Sequence, residues 1–416
     1  MKAVILAAGE GNRLKPITST RPKPMIPLVG KPLLEHTILG LKDADIDEIL
    51  LIVGYKKEII KEYFGDGIDK FNVKIEYVTQ EEYLGTAHAA NYAKDFAKDE
   101  PFMLMYGDIL VDPIIYKDVL QKFRKSGAEG LISLIEVKNP EVFGIISLDS
   151  NDFVEKITEK PSPELGLGNL ANAGIFVFDP LIFEAIKKTE KSIRDEYEFT
   201  DSMEILISQL NGKIIGYTIK DNFWSDVGLP WQLLEANEFL SNRLKHEIHG
   251  FVEDNVYISG DVYIGKGTII KSGTHIEGPC YIGSNTSIGP NAYLRPFTSI
   301  GNKCHIGDSE TNNSIIFNEA EIPHSNYVGD SVICEKVILG VGTKISNLRS
   351  DDESVKVMIK GKQFDSGRKN LGAFIGPYAK IGNDVIIECG RKIGENSVIG
   401  DNSRVTEDVP PNTIYS

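Results

Sequence analysis

The chain has 416 residues, 41% hydrophobic and 25% charged, an ordinary composition for a soluble globular protein and enough for two or three domains with full cores. Its formal net charge of −15 excludes a general nucleic-acid surface, because phosphate backbones are held by basic stripes. No apolar run reaches the roughly 18 residues of a membrane helix, and the four cysteines show neither zinc-ligand spacing nor a disulfide framework.

The opening MKAVILAAGEG runs from an apolar stretch straight into a glycine loop. It reads as a buried first strand rather than a signal peptide, so the expected compartment is the cytoplasm, with no membrane and no nucleic-acid partner. Buried strands are expected at 3–7, 49–53, 73–78, 102–106, 130–137, 173–178 and 214–219. Helical patterns at 32–44, 57–64, 84–96, 114–125, 180–189 and 200–210 lie between them. Strand–helix alternation predicts an α/β domain over 1–229 with a doubly wound, mainly parallel sheet, whose ligands sit beyond the C-terminal strand ends. Residues 230–250 read as a connecting segment, with an amphipathic helix over 230–245.

From 251 to 416 the pattern changes. Aliphatic residues recur every six positions from Val252 through Ile258, Ile264 and onward to Ile306. The six-residue spacing reappears at Ile322 and Val328, slips by one to Ile333, Leu339 and Ile345, and resumes from Ile375 to Val405. This is the pattern of a parallel β-helix of hexapeptide repeats. Cys280 and Cys304 occupy equivalent repeat positions and read as small core residues. Residues 346–374 interrupt the repeat and are expected to loop outward.

Chemistry concentrates just after the first strand. Ala8-Gly9-Glu10-Gly11-Asn12-Arg13-Leu14-Lys15-Pro16 is followed by Arg21-Pro22-Lys23-Pro24-Met25. Glycines let backbone amides approach a phosphate, and the fixed cations Arg13 and Lys23 suit a reaction that holds a triphosphate and releases pyrophosphate. Leu14 at the third glycine position rules out the dinucleotide fingerprint, and no P-loop GK[ST] is present. With Gln80, Leu84-Gly85-Thr86-Ala87-His88, Tyr106-Gly107-Asp108, Glu159-Lys160-Pro161, Asn172-Ala173-Gly174 and Ser225-Asp226-Val227-Gly228, the order of motifs resembles the sugar-nucleotide pyrophosphorylase family. That resemblance implies nucleotide binding by Ala8, Gly9, Gly11, Gln80, Gly85 and Thr86, and sugar-phosphate binding by Gly144, Glu159, Lys160 and Asn172. It further implies Mg²⁺ on Asp108 and Asp226, with UTP or dTTP and a sugar-1-phosphate as substrates. His88 reads as a packing residue on its helix.

In the repeat region, Pro323-His324-Ser325-Asn326-Tyr327 breaks the regular alternation with an imidazole able to act as a general base. With Leu294-Arg295-Pro296 and Asn347, it resembles the acetyltransferase half of the archaeal bifunctional sugar-1-phosphate nucleotidylyltransferase/acetyltransferases. The resemblance implies a left-handed β-helix, His324 as base, substrate contacts from Arg295, Tyr327, Asn347 and Lys356, and acetyl-CoA as co-substrate. It also implies a homotrimer or a dimer of trimers. Asn312 and Glu353 stand where that family usually has lysines. The expected function is therefore synthesis of UDP-N-acetylglucosamine by two activities. The alternative is a glucose-1-phosphate uridylyl- or thymidylyltransferase whose β-helix only trimerises or regulates it, and retention of the charged residues argues against a non-catalytic binding subunit.

Overall fold

The computed structural model describes residues 1–159, 162 and 168–416. They form two compact units: Met1–Glu10 with Leu33–Asp226, and Gly11–Pro32 with Val227–Ser416. Among the described residues no helix is long and apolar enough to cross a membrane.

The first unit is built on a nine-stranded mixed sheet. Phe102–Tyr106, Lys2–Ala7, Glu48–Val53 and Lys74–Thr79 lie side by side, all parallel. Leu170–Phe178 then runs antiparallel to Phe102–Tyr106 and to Gly130–Glu136. These strands are continuous apolar runs because both faces are covered, so Ala3, Val4 and Ile5 are fully buried. Two departures from the sequence reading have local causes. The helix expected over 84–96 is two pieces, Thr86–Asn91 and Lys94–Ala97. At the break, the amides of Tyr92 and Ala93 bond three residues back, tightening the backbone out of the α pattern. The antiparallel pair Gly144–Leu148 and Val154–Glu159 was not expected, because its charged, half-exposed second strand carries no apolar signal.

The second unit is a stack of parallel strands, the β-helix expected from the repeat and left-handed as the family resemblance implies. One corner column runs Ile264, Ile282, Ile300, Ile316, Ile333, Ile375 and Ile393. A second runs Ile276, Leu294, Thr311, Val328, Ile345, Ile387 and Val405, and both columns are sealed from solvent. Early coils repeat every eighteen residues, as in Ile282 to Ile300. The next coil is shorter: Ile300 pairs with Ile316 and Ile306 with Ile322, sixteen residues on. The phase thus breaks before Ile322, earlier than the six-residue ladder suggests, and Ile316 and Thr311 take the corner positions. Where residues are lost, a corner gives way to continuous strand. His305–Asn312 and Glu321–Gly329 are eight and nine residues long, against two or three elsewhere in the stack.

Segment 346–374 is not merely an outward loop. It carries the hairpin Lys356–Ile359 with Lys362–Asp365, buries Val355, Val357 and Ile359, and is closed at its base by a bridge between Leu348 and Asn370. Cys280 and Cys304 are buried core residues, and burial pushes both thiols up to about 12, leaving them unreactive.

Truncation in a corner column leaves a cavity that the stacked coils cannot collapse around. Ile300→Ala should cost about 3 kcal/mol and lower the unfolding temperature by roughly 6–12 °C, read by circular dichroism.

Candidate active sites

In the first unit, the expected site residues lie at the C-terminal ends of the four parallel strands. Asp108 follows Phe102–Tyr106, Ala8 and Gly9 follow Lys2–Ala7, and Gln80 follows Lys74–Thr79. The Ala8 carbonyl accepts from the Tyr55 amide at 3.0 Å, and the Gln80 amide donates to the Val53 carbonyl at 2.8 Å, tying adjacent strand ends together. Gln80 is buried, and its side-chain NH₂ donates to the Glu82 carbonyl. Gly85 has φ +116°, and a Cβ there would strike the Tyr197 carbonyl oxygen at 2.4 Å, so this turn requires glycine. Thr86 caps the neighbouring segment by accepting from the Phe199 amide. His88 sits on its helix edge-on to Tyr92 at 5.3 Å. A Cβ on Gly9 would meet no atom within 4 Å, so packing within the chain does not demand glycine there.

A second cluster surrounds Tyr106. Burial, with the negative charges of Glu159 and Asp108, raises the Tyr106 phenol, while a hydrogen bond with Asn172 opposes the shift. Asn172 also accepts from the Gly174 amide through its side chain. Glu159 pairs in register with Gly144, where a Cβ would come within 2.9 Å of its carboxylate. Arg194 lies 3.1 Å from Glu159 and 2.7 Å from Glu198. Sequence reasoning missed Arg194, which falls in an irregular stretch with no periodic signal. Lys160 lies outside the described residues.

Asp226 follows the short strand Trp224–Ser225, whose antiparallel register pairs Ser225 with Leu110. Ser225 thus lies opposite a residue two positions after Asp108, and Asp226 is the next residue in the chain. Among the described residues no group of three or more His, Cys, Asp or Glu is placed to hold a metal. Two carboxylates with phosphate oxygens suit Mg²⁺, which keeps few protein ligands. The donor set fits.

Arg13 and Lys23 belong to the second unit. Gly11 has φ +69°, and its carbonyl accepts from the Thr18 hydroxyl at 3.0 Å and from the Leu14 amide at 2.9 Å. A Cβ on Gly11 would lie 3.0 Å from Lys23 Cβ, so the loop closes on itself and brings buried Lys23 back against the glycine. Arg13 stays exposed.

The two long β-helix strands hold the other expected residues. Their register pairs Asp308 with His324 and Glu310 with Tyr327. His324 Nδ1 is 3.0 Å from Asp308 Oδ1, and this hydrogen bond holds the Asp308 carboxyl below its ordinary range. Arg295 pairs with Glu310 at 3.1 Å. Burial raises the Tyr327 phenol, and Asn347 hydrogen-bonds it. The Asn347 amide also donates to Asp330 at 2.7 Å, and Asp330 accepts in turn from Asn313. Lys356 lines a separate cavity of about 380 Å³ with Arg349, Arg391, Arg404 and Cys389. Asp308 is the residue the sequence concealed: its partnership with His324 depends on the shortened sixteen-residue register, where a regular coil would pair residues eighteen apart.

Comparison with known proteins bears on the whole chain. The family described as nucleotidyl transferase matches residues 2–243. A GMPPB C-terminal domain matches 276–363, and bacterial transferase hexapeptide repeats match 372–407. The bifunctional protein GlmU of Methanocaldococcus jannaschii is 44% identical over 415 residues, covering 100% of this chain and 97% of the relative. The bifunctional sugar-1-phosphate nucleotidylyltransferase/acetyltransferase of Sulfurisphaera tokodaii is 41% identical, covering 98% of each. The chain belongs to this bifunctional family. Among solved structures, a UDP-glucose pyrophosphorylase complexed with UDP-glucose is similar at TM-score 0.52 and 25% identity, covering 58% of this chain and 98% of that one.

For this family member, the Asp308–His324 pair yields a pH prediction. Asp308 has a depressed pKa, so its charge and hydrogen bond persist above the ordinary carboxylate range and are lost only as pH falls through the lowered value. Asp308→Asn, which removes the anionic hydrogen-bond partner of His324, should cut kcat for acetyl transfer roughly 10- to 100-fold across the pH range above the lowered Asp308 value. Nucleotidyl transfer should be unchanged. Initial rates of both activities across pH check this.

Proposed function

We propose that the chain makes UDP-N-acetylglucosamine from glucosamine-1-phosphate in two transfers, acetyl first and uridylyl second. The observation carrying the two-activity reading is the His324–Asp308 pair on the long strands, near Arg295 and Tyr327. A trimerising scaffold has no use for an oriented imidazole.

In acetyl transfer, Nδ1–H donated to Asp308 leaves the Nε2 lone pair to accept the proton of the attacking amine. The amine nitrogen bonds the acetyl carbon, the carbon–sulfur bond breaks, and the proton passes to the coenzyme A thiolate. Arg295 and Tyr327 hold the sugar phosphate, with Asn347 and Lys356 supporting substrate and co-substrate.

In nucleotidyl transfer, an oxygen of N-acetylglucosamine-1-phosphate attacks the α-phosphorus of UTP, and the bond to the β-phosphate breaks to release pyrophosphate. Arg13 and Lys23 neutralise the departing pyrophosphate and the reacting phosphates. Ala8, Gly9 and Gly11 present backbone to the triphosphate, while Gln80, Gly85 and Thr86 seat the base. Glu159, Asn172, Gly144 and Lys160 bind the sugar phosphate, joined by Arg194. Asp108 and Asp226 would hold Mg²⁺, which supplies charge neutralisation at the phosphate oxygens when bound.

We propose that the β-helix assembles as a homotrimer or a dimer of trimers, as the family resemblance implies. One column of its strands carries exposed Phe251 and Ile269 at one end and exposed Ile338, Val398 and Ile414 toward the other, with Ser287, His305, Glu321 and Lys380 among them.

Purified protein given acetyl-CoA and glucosamine-1-phosphate, without nucleotide, should release free thiol, and His324→Ala should abolish the release. With UTP and N-acetylglucosamine-1-phosphate, the protein should release pyrophosphate, and EDTA or Asp108→Asn should lower that rate at least 100-fold. Absence of thiol release from protein that still forms UDP-sugar would assign the β-helix to scaffolding alone.

A further inference from the structure

Residues 11–32 carry the nucleotidylyl-transfer loop, yet they form one compact unit with the β-helix rather than with the sheet. The contacts are spread along a single face of the stack. A Cβ on Gly30 would lie 2.1 Å from the Tyr281 ring, and one on Gly376 would lie 2.8 Å from Pro16 Cβ. Arg21 stacks over Phe317 at 4.9 Å. Arg21 Nη2 is 2.5 Å from Glu335 Oε2, and the Thr20 hydroxyl donates to Glu335 Oε1 at 2.6 Å. The Ser19 hydroxyl donates to Glu395 at 2.9 Å. The strands behind these contacts stack in register from Tyr281 through Ser299, Ile315, Val332 and Phe374 to Lys392, so the segment spans about 24 Å of the stack.

Glu335 is the polar centre of this face. Burial pushes its carboxyl up, but Arg21, with the Thr20 hydroxyl, overrides that effect and holds it below the ordinary range. A largely buried ion pair contributes little net stability over an apolar contact, whereas its geometry is restrictive. The β-helix core does not need it, because its corner columns are complete without Glu335. Beyond Arg21 the chain turns tightly: the Met25 amide donates to the Pro22 carbonyl and the Ile26 amide to the Lys23 carbonyl. Lys23 in turn lies against Gly11, two residues before Arg13. A shift of Arg21 therefore moves both cations.

We propose that Glu335, on the β-helix, is a positioning residue for nucleotidyl transfer, acting through Arg21 on the loop that bears Arg13 and Lys23. The proposal rests on the roles given to those two cations above. It makes the hexapeptide stack part of the nucleotidylyltransferase even though it supplies no group that touches UTP.

The test uses the full chain as Glu335→Ala, the isosteric Glu335→Gln, Glu335→Arg alone, and the charge swap Arg21→Glu with Glu335→Arg. Both activities are measured on each preparation. Glu335→Ala and Glu335→Gln should lower kcat for nucleotidyl transfer at least tenfold, with KM for the sugar phosphate and the whole of acetyl transfer within twofold of the parent. The swap should recover at least threefold over the Glu335→Arg single variant. Nucleotidyl kcat within twofold of the parent in the Gln and Ala variants would overturn the proposal. A parallel fall of acetyl transfer would overturn it too, by showing that Glu335 only supports the fold. Failure of the parent protein to form any UDP-sugar would instead defeat the reading of Arg13 and Lys23.

Discussion

The stacking of coil upon coil in strict register is the constraint on which the C-terminal unit depends. Each corner aliphatic rests on the one below, from Ile264 to Ile393 in one column and from Ile276 to Val405 in another. Because the columns seal the interior, neighbouring coils cannot slip past one another without exposing a whole row of isoleucines. Every outward side chain is thereby given a fixed neighbour one rung above and one below. The Asp308–His324 pair, the Glu310–Tyr327 pair and the row from Tyr281 to Lys392 are all consequences of that registration.

The sheet unit uses a different device for the same end. Its four adjacent parallel strands finish at one edge, so short loops after Ala7, Val53, Thr79 and Tyr106 are neighbours without any long-range pairing of their own. Negative charge gathers around Tyr106 from Asp108 and Glu159, and Arg194 answers part of it. Such a balance suits substrates that arrive as phosphates with a divalent cation, since excess carboxylate without the cation would repel them.

Much of this was legible in the sequence, because periodicity survives translation into structure. The six-residue ladder specified the β-helix, and apolar runs located all seven expected strands of the sheet to within a few residues. Gly11 and Gly85 were legible because the positive φ of each turn favours glycine. What stayed hidden depended on register. Asp308 reaches His324 only because a coil is two residues short, and Arg194 reaches Glu159 from a segment with no repeating pattern. The attachment of residues 11–32 to the β-helix was hidden for a similar reason: Arg21 and Glu335 are 314 positions apart, and neither lies in a motif for pairing.

That separation has a consequence for how the molecule comes into being. A ribosome delivers the glycine loop well before Phe317, Glu335 and Glu395, which follow some 300 positions or more later. Contacts so distant along the chain carry a large loop-closure entropy and form late. The nascent sheet can collapse around its own core while the loop still lacks the surface that orders it. Completion of the last coils is thus the event that finishes the first strand's loop, and a chain released early would carry the signature without the support that shapes it.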